Sequence, residues 1–83
     1  MVLDENWGIP MDRIAGFFSG EPDVGRCGDV FFFEECRITL TALPGHFLGP
    51  WEMPLTRVQM EGPEEDVQAI HQRFYLRFLS AGG

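Results

Sequence analysis

The most regular apolar pattern in the chain lies near its C-terminus, where apolar residues recur at intervals of three and four. One proline and three acidic residues precede this run, which is typical of the first turn of a helix. The pattern predicts a long helix over residues 63–79. Its apolar face is expected to carry Val67, Ile70, His71, Phe74 and Phe78.

A shorter helix is predicted near the N-terminus, over residues 9–18. Its apolar residues share one face at helical spacing, and Pro10 precedes them at a position where a missing N–H has no cost. That face carries Met11, Ile14 and Phe18. Residues 1–8 are expected to form either a short edge strand or an irregular terminus.

Apolar and polar residues alternate in the middle of the chain, which is the pattern of half-buried strands. This alternation, together with three consecutive phenylalanines, predicts strands over residues 29–34, 36–43 and 55–61. In the second strand the residues expected to face inward are Cys36, Ile38, Leu40 and Ala42.

The remaining segments are rich in glycine and proline and are predicted as turns or irregular structure. Residues 25–28 are expected to form a turn. Glu34 and Glu35 are predicted to lie in a tight turn or bulge between two strands. Residues 44–54 form the least regular stretch, with room for a short additional strand near residues 46–49.

These elements predict an α+β fold with the order (β)-α-β-β-(β)-β-α, in which the strands in parentheses are optional. Short connections favour an antiparallel sheet of three to five strands. We expect both helices on one face of the sheet, which makes a two-layer sandwich with a largely polar opposite face. At 83 residues the chain is expected to be a single small domain over residues 1–83.

The charge of the chain narrows the classes of partner. Thirteen acidic and six basic residues give a net charge of −7, with no basic cluster of the kind that binds nucleic acid or anionic lipid. No apolar run approaches the ~20 residues of a membrane span, and acidic residues stand where a signal peptide would be basic. We therefore expect a cytoplasmic protein that binds neither nucleic acid nor membranes.

Cysteine and histidine are the candidates for site chemistry. Cys27 and Cys36 match no standard zinc spacing, and we expect free thiols, with a disulfide or a Cys2His2 zinc set as the alternatives. His71 lies within an apolar helix face, where a histidine is usually a core residue hydrogen-bonded to a backbone carbonyl. The alternative for His71, and for His46, is a ligand-binding or pH-sensing role. The sequence predicts no metal and no cofactor.

Aromatic residues are abundant for so short a chain. Eight Phe, two Trp and one Tyr exceed what one small two-layer core obviously accommodates. The excess either packs beneath the first helix or forms an interface with a second copy of the chain or another protein. The residues predicted for such an interface are Phe31, Phe33, Phe47 and Trp51.

The last two residues raise another function. Gly82 and Gly83 resemble the C-terminus of sulfur-carrier and ubiquitin-like modifier proteins. The resemblance implies that the terminal glycine carboxylate is adenylated and then thiocarboxylated or conjugated. The chain differs from that family because a predicted helix, rather than the final strand of a β-grasp fold, precedes the tail.

Taken together, these patterns predict a small, acidic, non-enzymatic module for protein interaction or homodimerisation. Two alternatives remain open. One is a modifier-like protein that acts through Gly83, and the other is a small ligand-binding domain that uses His71.

Overall fold

Seven elements build the protein, as seen in a computed structural model that describes residues 1–82, with side chains through residue 79. In chain order they are β1 (Val2–Trp7), α1 (Met11–Ser19), β2 (Val24–Cys27), β3 (Val30–Phe33), β4 (Cys36–Leu48), β5 (Trp51–Glu61) and α2 (Glu64–Gly82). This β-α-β-β-β-β-α order is an α+β fold, as predicted.

The five strands form one antiparallel sheet in the order β1-β5-β4-β3-β2. Strands β2 to β5 follow one another through two-residue turns, including the predicted turn at Glu34 and Glu35. Helix α1 carries the chain from β1 at one edge to β2 at the other. Strand β1 forms one edge of the sheet and pairs with β5. Val2 lies opposite Glu61, and Trp7 lies opposite Thr56.

The core lies between the sheet and the two helices, which cover the same face. Phe18 of α1 and Phe74 of α2 stack with their ring centroids 5.6 Å apart, and the Phe18 ring lies 5.4 Å from that of Phe31. The other buried apolar residues are Ile14, Ala15, Phe33, Cys36, Ile38, Leu40, Val58, Met60, Val67, Ile70 and Phe78. The predicted two-layer arrangement and the apolar face of α2 are therefore confirmed.

The sheet face opposite the helices, here called the helix-free face, is polar along its centre. It carries three cross-strand pairs of β4 and β5, which are Arg37 with Glu61, Thr39 with Gln59, and Thr41 with Arg57. None of the helices in residues 1–82 is long and apolar enough to span a membrane.

Some local expectations were wrong. Residues 25–28 were predicted as a turn, yet most of them belong to strand β2. Residues 44–54 are not irregular, because β4 continues to Leu48 and β5 already begins at Trp51. Ala42 was predicted to face the core, but it is exposed and lies beyond Thr39, where β3 stops pairing with β4.

Candidate interaction surface

Strands β4 and β5 extend beyond the rest of the sheet as a two-stranded ribbon, which we call the hairpin arm (residues 43–55). Strand β3 pairs with β4 only as far as Thr39, and β1 pairs with β5 only from Thr56 onward. The 13 residues of β4, at about 3.3 Å each, account for most of the molecule's 42 Å length.

The end of the arm is a two-residue turn formed by Gly49 and Pro50. Gly49 has a φ of +61°, and the ring of Pro50 holds its φ negative. This combination fits a type II′ turn, whose twist matches that of the flanking strands. The glycine and proline that suggested irregular structure are therefore the turn that allows the two long strands to pair.

The register of the arm places most of its apolar side chains on one face. Three cross-strand pairs follow one another, which are Leu48 with Trp51, His46 with Met53, and Leu43 with Leu55. Side chains alternate along β5, and a register shift between Leu43 and His46 adds one residue to β4, so all three pairs lie on the same side. These six residues continue the helix-free face and are here called the arm face. Phe47 and Glu52, which pair with each other, point to the opposite side of the arm.

Large apolar side chains of the arm are open to solvent. Trp51 is 73% exposed, Phe47 72%, Leu48 66% and Met53 45%. Glu52 is the single Asp, Glu, Lys or Arg within residues 44–53. Isolated exposed apolar residues are common, but a contiguous group such as Leu48, Trp51 and Met53 on the arm face marks interaction sites.

The predicted interface residues divide between the arm and the core. Phe47 and Trp51 lie on the arm and are exposed. Phe31 and Phe33, by contrast, are 0% and 5% exposed, so their prediction as surface contacts was wrong. Both helices cover that face of β3, and its exposed aromatic residue is the intervening Phe32.

Sequence reasoning missed Leu48 and Met53 as members of the same surface. Their signal was present, because Leu48 and Trp51, and likewise His46 and Met53, are placed symmetrically about Gly49 and Pro50 as paired strands require. Treating the glycine and proline as breakers of regular structure, rather than as a hairpin turn, concealed that pairing.

His71 lies at the junction of α2 and β1. Its Nε2 is 2.8 Å from Oε1 of Glu5, and Nε1 of Trp7 donates to the same oxygen at 3.2 Å. The partner of His71 is therefore a carboxylate, not the predicted backbone carbonyl. His46, in contrast, is exposed on the hairpin arm, so the structure assigns the two histidines to different regions.

The two cysteines are free thiols, as expected. Cys27 is exposed at the end of β2, and burial raises the pKa of the Cys36 thiol. Among the residues that the structure describes, no three His, Cys, Asp or Glu side chains form a group suited to a metal ion. A surface cavity of about 140 Å³ beside Arg37 and Glu61 is lined by neither histidine.

Acidic residues gather at the end of the molecule away from the arm. They lie in the β3–β4 turn and the first turn of α2, and we call them the acidic end: Glu34, Glu35, Glu64, Glu65 and Asp66. The backbone N–H of Glu35 donates to Oδ2 of Asp66 at 3.3 Å, which joins the two segments.

Two arginines form ion pairs outside the acidic end. Arg57 donates to Asp4, with its Nε 2.9 Å from Oδ1, and Arg73 donates to both carboxylate oxygens of Asp23 at 2.9 Å. The guanidinium groups hold the pKa of both aspartates below the usual value. These pairs neutralise charge on the body of the protein and leave the acidic end as a concentration of negative charge.

The glycines of the tail are described only in part. Gly82 is the last residue of α2, and Gly83 lies outside the described residues. The modifier alternative therefore gains no support from the fold, in which a helix precedes the tail.

Comparison with known proteins adds no family assignment. The chain matches no protein-family model, and no curated protein matches it. The geometry of the hairpin arm therefore carries the functional argument.

Proposed function

We propose that this protein is a non-enzymatic interaction module that associates through its hairpin arm, with a second copy of the chain or with another protein. The observation that carries the proposal is the exposure of Leu48, Trp51 and Met53 together on the arm face of a nearly uncharged ribbon. Aromatic residues and methionine are enriched, and charged residues depleted, at the centres of protein interfaces.

The ribbon itself would gain stability from a partner. A two-stranded hairpin is marginally stable in water without a further strand or a covering surface. Trp51 is 73% exposed, and covering a ring that can bury up to about 250 Å² would contribute about 4–5 kcal/mol before the entropic cost of association. A partner on the arm would therefore stabilise both the ribbon and the complex.

Charge restricts the partner further. The net charge of −7 disfavours nucleic acid and anionic lipid, because both would repel the acidic end. We therefore propose that the association is between proteins, in the cytoplasm.

Photo-crosslinking in cells that express the protein tests this proposal. With a photoreactive phenylalanine analogue at position 51, we expect a covalent adduct whose mass reveals the partner. The matched control carries the same analogue in place of Leu76, which is 54% exposed on α2. No adduct at position 51, or equal labelling from both positions, would contradict the proposal.

A further inference from the structure

We propose that the occupant of the arm face is a second copy of this chain, stacked face to face across a two-fold axis. The inference rests on the proposed function, since it names the partner of the same surface. It follows from three properties of the arm, which are the placement of its apolar side chains, the distribution of charge and the proline content of its strands.

The arm face can complement itself. Its side chains form successive rows on one side of the ribbon, with Leu48 and Trp51 outermost and His46 and Met53 next. A two-fold interface uses the same patch on both copies. Two such faces can pack about 10 Å apart with interdigitating side chains, as the sheets of a sandwich do.

The distribution of charge permits this contact even though each copy carries a net charge of −7. Glu52, the charged residue of the arm, pairs with Phe47 on the opposite side from the arm face. The acidic end lies at the other end of a molecule 42 Å long, several times the Debye length of about 8 Å at physiological salt. Arms that overlap keep the acidic ends apart, whereas a basic partner would be drawn to the acidic end instead.

Proline determines how the two copies would meet. Pro44 and Pro54 lie within the strands of the arm, and each removes a backbone N–H from a short ribbon. Prolines of this kind protect strand edges from addition of a further strand. The contact is therefore made by side chains of the arm face rather than by extension of the sheet.

The test measures the solution mass of the purified chain by light scattering over a tenfold range of concentration. We expect a mass approaching twice 9.4 kDa as concentration rises. Trp51→Gln should weaken the dimer at least about tenfold, which corresponds to ~1.4 kcal/mol. Leu48→Gln, a second change on the arm face, should also weaken it.

Phe47→Gln is the matched control, because Phe47 is as exposed as Trp51 but points to the other side of the same ribbon. It should leave the dimer unchanged, and circular dichroism should show all three variants folded. A monomer at every concentration, or equal weakening by Phe47→Gln and Trp51→Gln, would overturn the inference.

This outcome is separable from that of the proposed function. If the purified chain is monomeric but position 51 crosslinks to a different protein in cells, the second-copy inference is wrong and the interaction module stands. If the chain is monomeric and no adduct forms, both are wrong.

Discussion

Gly62 shows how a single residue joins distant parts of this fold. Its N–H donates to the Met1 carbonyl, and its own carbonyl accepts from the Met1 amino group at 2.8 Å. A Cβ at this position would lie 2.6 Å from the carbonyl oxygen of Glu35, which belongs to the backbone and cannot swing away. The start of β1, the β3–β4 turn and the entry to α2 thus meet where only glycine fits.

Replacing Gly62 by alanine should therefore destabilise the protein by about 2 kcal/mol or more, because the backbone must shift to relieve the overlap. Urea unfolding at neutral pH measures the change. Gly25→Ala is the control, since a Cβ there meets no heavy atom within 4 Å, and its effect should stay within about 0.5 kcal/mol. Equal losses in both variants would show that the close approach at Gly62 is not the cause.

Helix α2 is the element that draws the fold together. Its apolar face packs on the sheet, His71 bonds to Glu5 of β1, and Arg73 pairs with Asp23 ahead of β2 while lying 4.9 Å from the Phe33 ring centroid. The contacts reach both edges of the sheet. Because Arg73 attaches α2 to the segment before β2 through its ion pair with Asp23, protonation of Asp23 in acid should weaken this attachment.

Asp23 should make a pH-dependent contribution to the free energy of unfolding. Hydrogen bonds from Arg73 lower the pKa of the Asp23 carboxyl in the folded state. Its contribution is therefore present above the unfolded pKa of about 4 and is lost as the pH falls through the folded pKa. Urea unfolding should show Asp23→Asn less stable than the wild type at pH 7, with the difference shrinking at lower pH.

Asp29→Asn is the control for that measurement, because it removes the same charge from an exposed turn beside β3. It should leave the shape of the stability curve against pH nearly that of the wild type. A difference between Asp23→Asn and wild type that stayed constant down to pH ~2 would contradict the role of the Arg73 pair.

At the scale of the whole molecule, the two ends differ in chemistry. The molecule measures 25 × 22 Å across and 42 Å along, with an apolar arm at one end and the acidic end at the other. Strand β4 runs the full distance between these two ends. It therefore separates the arm face, which suits a partner, from the acidic end, which would repel a second copy. Association through the arm should therefore depend little on charge.

The effect of salt on the dimer dissociation constant tests whether association depends on charge. Raising NaCl from about 0.05 to about 0.5 M should leave the dimer dissociation constant within about threefold or tighten it, because salt screens the like charges and does not weaken apolar contacts. Light scattering at each salt concentration gives the value. A dimer that weakened tenfold or more would be held by opposite charges rather than by the arm face.

The fold class was predictable because each local pattern records which side of an element is buried. The spacing of Val67, Ile70 and Phe74 predicted α2, and the alternation after Cys36 predicted β4. For the candidate surface, Phe47 and Trp51 were identified, but Leu48 and Met53 were not. Glycine and proline have opposite meanings in a loop and in a hairpin turn, and only strand pairing distinguishes them.

The sequence by itself determined the two helices, the inward-facing residues of β4 from Cys36 to Leu40 and the acidic charge balance. Tertiary structure alone decided that Phe31 and Phe33 are core, that Glu5 is the partner of His71 across 66 positions of the chain, and that β1 pairs with β5. Periodicity reports which side of a segment is buried, but not what buries it. That depends on segments remote in sequence, and their packing decides whether an aromatic residue is covered or left exposed on the arm.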